Sequence, residues 1–228
     1  ELQEVIKHRK EYIGVAFDGD GDRTLFLDNK GNFLSAEQAA IIMLEGHGKG
    51  DIVANVECSM ILENYVKDYG GKVYRVPVGR TYMIWEVEKR NAMLGVESSG
   101  HYVVKGGLNY DDGILTMLYF IDAVANLSED ISKIIPPVPP RKRIKINVDD
   151  RIKFKVVDKL KEKLSQEYPN VTTIDGVRVD LDDGWFLIRP SNTEPIIRIT
   201  VEAKNQNILT DLLEKAKTLL LNELKGIG

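Results

Sequence analysis

The sequence predicts an α/β chain: the end of one α/β domain, a complete α/β domain with a mixed sheet, and a small α+β domain at the C-terminus. Three observations carry this. Up to residue 135, short apolar runs alternate with helical stretches. A proline cluster, Pro136-Pro137-Val138-Pro139-Pro140, then breaks the pattern. Beyond it two long helical stretches bracket several runs with strand alternation, the order expected of helices laid on one face of an antiparallel sheet.

Taken in order, the first residues read as an amphipathic helix already under way. Residues 12–17 (YIGVAF), 52–56, 72–76 and 92–96 read as strands, with helices at 36–45, 59–68, 80–90 and 112–126. Strand and helix in turn imply a mainly parallel sheet. Ser35 and Gln38 have the spacing of a capping box, and Gly70-Gly71 closes the next helix. After the prolines come a strand (142–148), a helix (151–166), strands near 171–174, 177–181, 185–189 and 196–202, and a closing helix (205–224). The domains expected are 1–30, the remnant of a domain and its acidic loop; 31–135; a semi-rigid proline hinge at 136–140; and 141–228. One helix and one or two strands at the start bury too little to stand alone. We therefore expect the chain to be the later part of a longer polypeptide.

Composition narrows the function. Of 228 residues, 43% are hydrophobic and 29% charged, enough apolar material for a core. Lys and Arg number 31 against 35 Asp and Glu, a net charge of −4 that argues against broad nucleic-acid or anionic-membrane binding. Cys58 is the one cysteine, which excludes an intrachain disulfide and a CxxC zinc site. No run of 18 apolar residues occurs, and the opening ELQEVIKHRK is too charged for a signal sequence. A soluble cytoplasmic protein is the default expectation.

Asp18-Gly19-Asp20-Gly21-Asp22-Arg23 follows an apolar strand directly. Alternating carboxylates point to one side of an extended chain, and the glycines let it curl around a small hard cation such as Mg²⁺. An EF-hand needs Gly at loop position six and Glu at twelve, where Arg23 and Asn29 stand. A phosphatase of the haloacid-dehalogenase type, with Asp18 as nucleophile, also begins on a strand and D-x-D, but Asp22 stands where Thr, Val or Ser is usual. A plain turn of solvated aspartates is disfavoured by mutual repulsion.

Three further segments offer chemistry. Arg189-Pro190-Ser191-Asn192-Thr193-Glu194-Pro195 lies between strands and gathers phosphate donors, although a polar hairpin turn fits as well. Arg198, on the next strand, reads as an ion-pair partner. Glu97-Ser98-Ser99-Gly100-His101 ends a strand with groups that suit sugar hydroxyls and proton movement; a surface-turn histidine is the bland alternative. Arg80 puts a cation at a helix start. Gly46-His47-Gly48-Lys49-Gly50 lacks P-loop spacing and reads as a helix stop and turn.

In this order the segments DGDGDR, GVESSGH and RPSNTEP resemble those of the α-D-phosphohexomutase family, which includes phosphomannomutase, phosphoglucomutase and phosphoglucosamine mutase. The resemblance spans nearly the whole chain, as the end of the family's second domain and all of its third and fourth. It implies Asp18, Asp20 and Asp22 as Mg²⁺ ligands and Arg23 as a helper at the reacting phosphate. It further implies Glu97 and Ser99 as holders of sugar hydroxyls, His101 as the proton-transfer group, and Arg189, Ser191, Asn192 and Thr193 as the grip on the other phosphate. Arg80 and Lys105 fall where relatives place basic residues near the sugar. Glu57 stands where some bacterial relatives carry Lys, and Ser98 where Met is found. The reaction implied interconverts hexose 1-phosphate and 6-phosphate, of mannose or glucose, through a phosphoserine and a hexose bisphosphate. No T-[AS]-S-H-N-P serine loop occurs in these residues. The expected partner is therefore an N-terminal half, without which the chain is expected to be inactive.

Overall fold

The computed structural model describes residues 1–9, 13–107 and 110–226. Tyr12, expected in the first strand, lies outside them. The described residues divide into two compact units, Glu1–Val138 and Pro139–Gly228.

The first unit opens with α1 (Leu2–Lys7) and an antiparallel sheet of β1 (Gly14–Phe17), β2 (Thr24–Leu27) and β3 (Phe33–Leu34). The last two strands were not expected from the sequence. Their runs are short, and Leu25 and Phe33 face outward, so neither shows a clear period. Phe17 pairs with Thr24, which makes the acidic segment the tip of a hairpin.

Next comes α2 (Ala36–His47), capped by Ser35 and Gln38 as the capping box predicts. The helix is apolar nearly all round because it is enclosed on both sides. β4 (Ile52–Asn55), α3 (Ile61–Lys67), β5 (Val73–Val76), α4 (Arg80–Arg90), β6 (Leu94–Val96) and β7 (Tyr102–Val104) follow, then α5 (Gly113–Ala125) and the short α6 (Ile131–Ile134). The sheet order is β5-β4-β6-β7. Its first two pairings are parallel, and β7 returns antiparallel on β6, which makes the sheet mixed. β4 is buried at every position, as a central strand covered on both faces must be. Ile52, Ala54, Leu94 and Val96 pack toward α2, α3 and α5, while Val53, Val76 and Val103 pack against Met83 and Val87 of α4.

α4 ends at Asn91, the only non-glycine at positive φ (53°) among the described residues. Asparagine tolerates this left-handed cap where alanine does not. Asn91→Ala is expected to cost about 1 kcal/mol, read as a lower urea midpoint at unchanged slope.

The second unit contains β8 (Arg141–Asn147), α7 (Asp150–Glu167), β9 (Val171–Thr172), β10 (Val177–Leu181), β11 (Gly184–Pro190), β12 (Ile196–Ala203) and α8 (Gln206–Lys225). Its sheet, β8-β12-β11-β10-β9, is antiparallel throughout. Alternate residues Val177, Val179, Phe186, Ile188, Ile197, Ile199 and Val201 form one face. They share a core with Val157 and Leu160 of α7 and Leu213 and Ala216 of α8. No helix among the described residues is long and apolar enough to cross a membrane.

Candidate functional site

The three parallel strands of the first unit end their C-termini near residues 55, 76 and 96, where open α/β sheets carry their ligands. The turn after β4 is shaped by Arg75, whose Nη1 donates to the carbonyls of Asn55 (2.8 Å) and Cys58 (3.1 Å).

At the β1–β2 hairpin tip, Gly21 takes φ 78°, a turn that a side-chain-bearing residue resists. Asp18 Oδ1 accepts from the Gly21 and Arg23 backbone N–H groups at 3.1 and 3.2 Å, and Arg23 Nε donates to Oδ2 at 2.5 Å. Burial pushes the Asp18 carboxyl up, but the hydrogen bonds from Arg23 and Gly21 prevail and hold it below its ordinary value. Both carboxylate oxygens thus accept hydrogen bonds within the hairpin. One carboxylate oxygen from each of Asp18, Asp20 and Asp22 lies within 4.8 Å of the others. A six-coordinate ion with ligands at 2.0–2.1 Å sets neighbouring oxygens about 2.9 Å apart, within that span. An all-carboxylate donor set fits a hard divalent cation.

The β6–β7 connection is a second tight turn. Glu97 N–H donates to the His101 carbonyl (2.9 Å), and Gly100, at φ 96°, donates to that of Glu97 (3.0 Å). Glu97 is buried; its Oε1 accepts from Gly79 N–H at 2.7 Å and its Oε2 from Ser99 Oγ at 3.2 Å. Ser99 Oγ also lies 2.9 Å from His101 Nδ1.

Main-chain bonds join the two turns. Thr24 N–H donates to the Gly100 carbonyl (2.9 Å), Gly113 N–H donates to that of Gly21 (3.1 Å), and Thr24 Oγ1 donates to that of Gly113 (3.2 Å). The approach is close: a Cβ on Gly113 would stand 2.4 Å from the Gly21 oxygen. Side chains converge accordingly. Arg80 Nη1 lies 3.1 Å from Asp22 Oδ2, and His101 Nε2 lies 3.4 Å from Asp22 Oδ1. Asp111 completes the group, 3.7 Å from Arg80 and 3.6 Å from His101 Nε2.

The structure therefore brings Asp18, Asp20, Asp22, Arg23, Arg80, Glu97, Ser99 and His101 together. Lys105 is not among them. It follows β7, about 13 Å of extended chain beyond His101, and borders a cavity of about 270 Å³ with Ile84, Val87 and Asn91. Asp111 was not expected from the sequence; its one local sign was an Asp-Asp-Gly step before an apolar helix.

In the second unit, residues 191–195 link β11 and β12. Ser191 is buried, and its Oγ accepts from the N–H groups of Glu194 (3.2 Å) and Thr193 (3.4 Å), so the self-bonding turn is present. Lys153 Nζ from α7 holds the Glu194 carbonyl at 2.9 Å. Arg198 is an ion-pair partner, 2.6 Å from the Glu194 carboxylate, and with Lys145 it holds that carboxyl below its usual range. Arg189 Nε lies 2.9 Å from Asp175 Oδ2. Asn192 and Thr193 are exposed at the tip.

The family model described as phosphoglucomutase/phosphomannomutase, alpha/beta/alpha domain III, matches residues 32–141, and that of the C-terminal domain matches residues 144–218. A probable phosphoglucosamine mutase of Pyrococcus horikoshii is 33% identical over 239 residues, covering 100% of this chain and 52% of its own. A phosphoglucosamine mutase of Methanococcus aeolicus is 37% identical over 226 residues, with 94% and 50% covered. Among solved structures, a phosphoglucomutase/phosphomannomutase family protein from Burkholderia thailandensis gives a TM-score of 0.82 at 25% identity, covering 98% of this chain and 49% of that one. Aspergillus fumigatus N-acetylphosphoglucosamine mutase, in complex with GlcNAc-6P and magnesium, shares the fold (TM-score 0.64, 14% identity, 92% and 48% covered). The chain spans about half the length of the curated relatives it matches. Two successive domains of one family, matched in order along the chain, leave a single assignment: it belongs to the phosphoglucomutase/phosphomannomutase family, the α-D-phosphohexomutases, and carries the C-terminal half.

Proposed function

We propose that these residues supply the metal, sugar and non-reacting-phosphate contacts of a mutase that interconverts hexose 1-phosphate and 6-phosphate, with the nucleophilic serine supplied by an N-terminal half. The observation that carries the reading is the meeting of Asp22, Arg80 and His101, from three distant segments, beside two further aspartates. The relatives' names favour glucosamine phosphate over the mannose or glucose phosphate expected from the motifs.

Asp18, Asp20 and Asp22 would hold Mg²⁺, which would offset charge on the phosphoryl group in transfer. Three carboxylates against a divalent ion leave about −1, so Arg23 and Arg80 supply the positive charge that a phosphate dianion needs. Glu97 and Ser99 hold sugar hydroxyls. Ser99 has one hydroxyl proton; donating it to Glu97 leaves its oxygen to accept from His101 Nδ1–H. That tautomer leaves His101 Nε2 to take and return the proton of the reacting hydroxyl. Arg189, Ser191, Asn192 and Thr193 hold the phosphate that does not react. Lys105 has no role in this scheme.

The test uses the completed protein, this chain joined to or mixed with a serine-bearing half. Conversion of glucosamine 6-phosphate is expected to exceed that of glucose or mannose 6-phosphate. His101→Ala is expected to lower kcat by about 10²–10⁴-fold. A folded, serine-phosphorylated protein that converts none of the three sugars would falsify the proposal. Binding without conversion would point to a sugar-phosphate sensor, and phosphate release by this chain alone to a phosphatase.

A further inference from the structure

The buried carboxylate of Asp111 is unexplained by folding. Its side chain is 2% exposed, and Oδ2 has no hydrogen-bond partner among the described residues. An unsatisfied buried oxygen is costly and calls for a reason. Capping α5 is not that reason, because Asp112 does it: its Oδ1 accepts from Leu115 N–H at 2.9 Å. A second cation site is not the reason either. Asp22, His101 and Asp111 lie within metal-ligating reach of one another, but the Arg80 guanidinium already borders both carboxylates.

What Oδ2 faces is His101 Nε2, at 3.6 Å, just beyond hydrogen-bond length. The other ring nitrogen is held at 2.9 Å by Ser99, so the imidazole is bracketed on both sides. We propose that Asp111 is a positioning residue for His101: its Oδ2 steadies the ring once Nε2 carries the proton, with Arg80 beside the carboxylate's other oxygen. The inference rests on the mutase reading, in which Nε2 takes the hydroxyl proton. A proton arriving at Nε2 creates an N–H donor with two carboxylate oxygens near it, Asp22 Oδ1 at 3.4 Å and Asp111 Oδ2 at 3.6 Å, and of these Asp22 belongs to the candidate metal group. Asp111 itself neither meets the sugar nor accepts the proton.

The experiment is Asp111→Asn in the completed protein, which keeps size and shape but replaces a charged oxygen. We expect kcat to fall about 10–100-fold, with KM for the hexose phosphate changed less than about threefold. In a His101→Ala background the same substitution should have almost no further effect, because Asp111 acts through the ring. The chain has 3 histidines, so the ring nitrogens of His101 can be followed by NMR, and their signals should move in Asp111→Asn. If Asp111→Asn does not fold, Asp111→Ser serves the same measurements. Unchanged kcat, or full losses that multiply in the double variant with unmoved ring signals, would overturn the inference. An unsubstituted completed protein with no mutase activity sinks the mutase reading itself; an active one with an indifferent Asp111→Asn sinks only this inference.

Discussion

Asp22→Ala in the completed protein is expected to lower kcat by about 10³-fold, more than Asp20→Ala. Each carboxylate belongs to the candidate metal group, but of the three Asp22 alone also contacts Arg80 at 3.1 Å and His101 Nε2 at 3.4 Å. In the proposed mutase, removing it would take away a metal ligand, a neighbour of the His101 ring and the partner of the Arg80 guanidinium. Raising Mg²⁺ should restore part of the Asp20→Ala loss by mass action and little of the Asp22→Ala loss. Steady-state turnover across a Mg²⁺ series separates the two. Equal, fully rescued losses would mean that Asp22 is a ligand and nothing more.

Gly46→Ala is expected to destabilise the protein by about 3 kcal/mol, against the gain of about 1 kcal/mol that alanine brings to a helix interior. A Cβ at position 46 would stand 2.3 Å from the Ala123 carbonyl oxygen and 2.4 Å from its Cα. Both are backbone atoms and cannot rotate aside, so α2 and α5 would have to part. The first residue of α5 is Gly113, bonded to the acidic hairpin, so activity should fall along with stability. Urea unfolding gives the first effect and turnover of the folded fraction the second. A neutral or stabilised Gly46→Ala would show that the helices do not touch there.

The glycine's role shows where sequence reasoning stops. Gly46-His47-Gly48-Lys49-Gly50 reads as a helix stop and turn, and α2 does end there, after His47 with Gly48 as its cap, but Gly46 itself still lies within the helix. Glycine serves there as a flat face for a crossing helix, and nothing local announces a partner 77 residues away. Long periodic stretches were legible: α4 spans residues 80–90 as its pattern implies, and the buried strands of both units fall near their apolar runs. The short β2, β3 and β7 were not, since two to four residues carry too little periodicity. The same divide runs through the site. Asp18, Asp20, Asp22, Glu97, Ser99 and His101 were legible because each sits in a dense polar cluster at a strand end. Asp111 was not, because its meaning depends on tertiary bonds that bring residues 111–113 against residues 21–24.

Two of those three tertiary bonds run between peptide groups: Gly113 N–H to the Gly21 carbonyl and Thr24 N–H to that of Gly100. A frame registered by main-chain atoms is indifferent to most side-chain exchanges around it. A position such as Ser98 can therefore change while the main-chain bonds that hold the acidic hairpin against the His101 turn stay as they were.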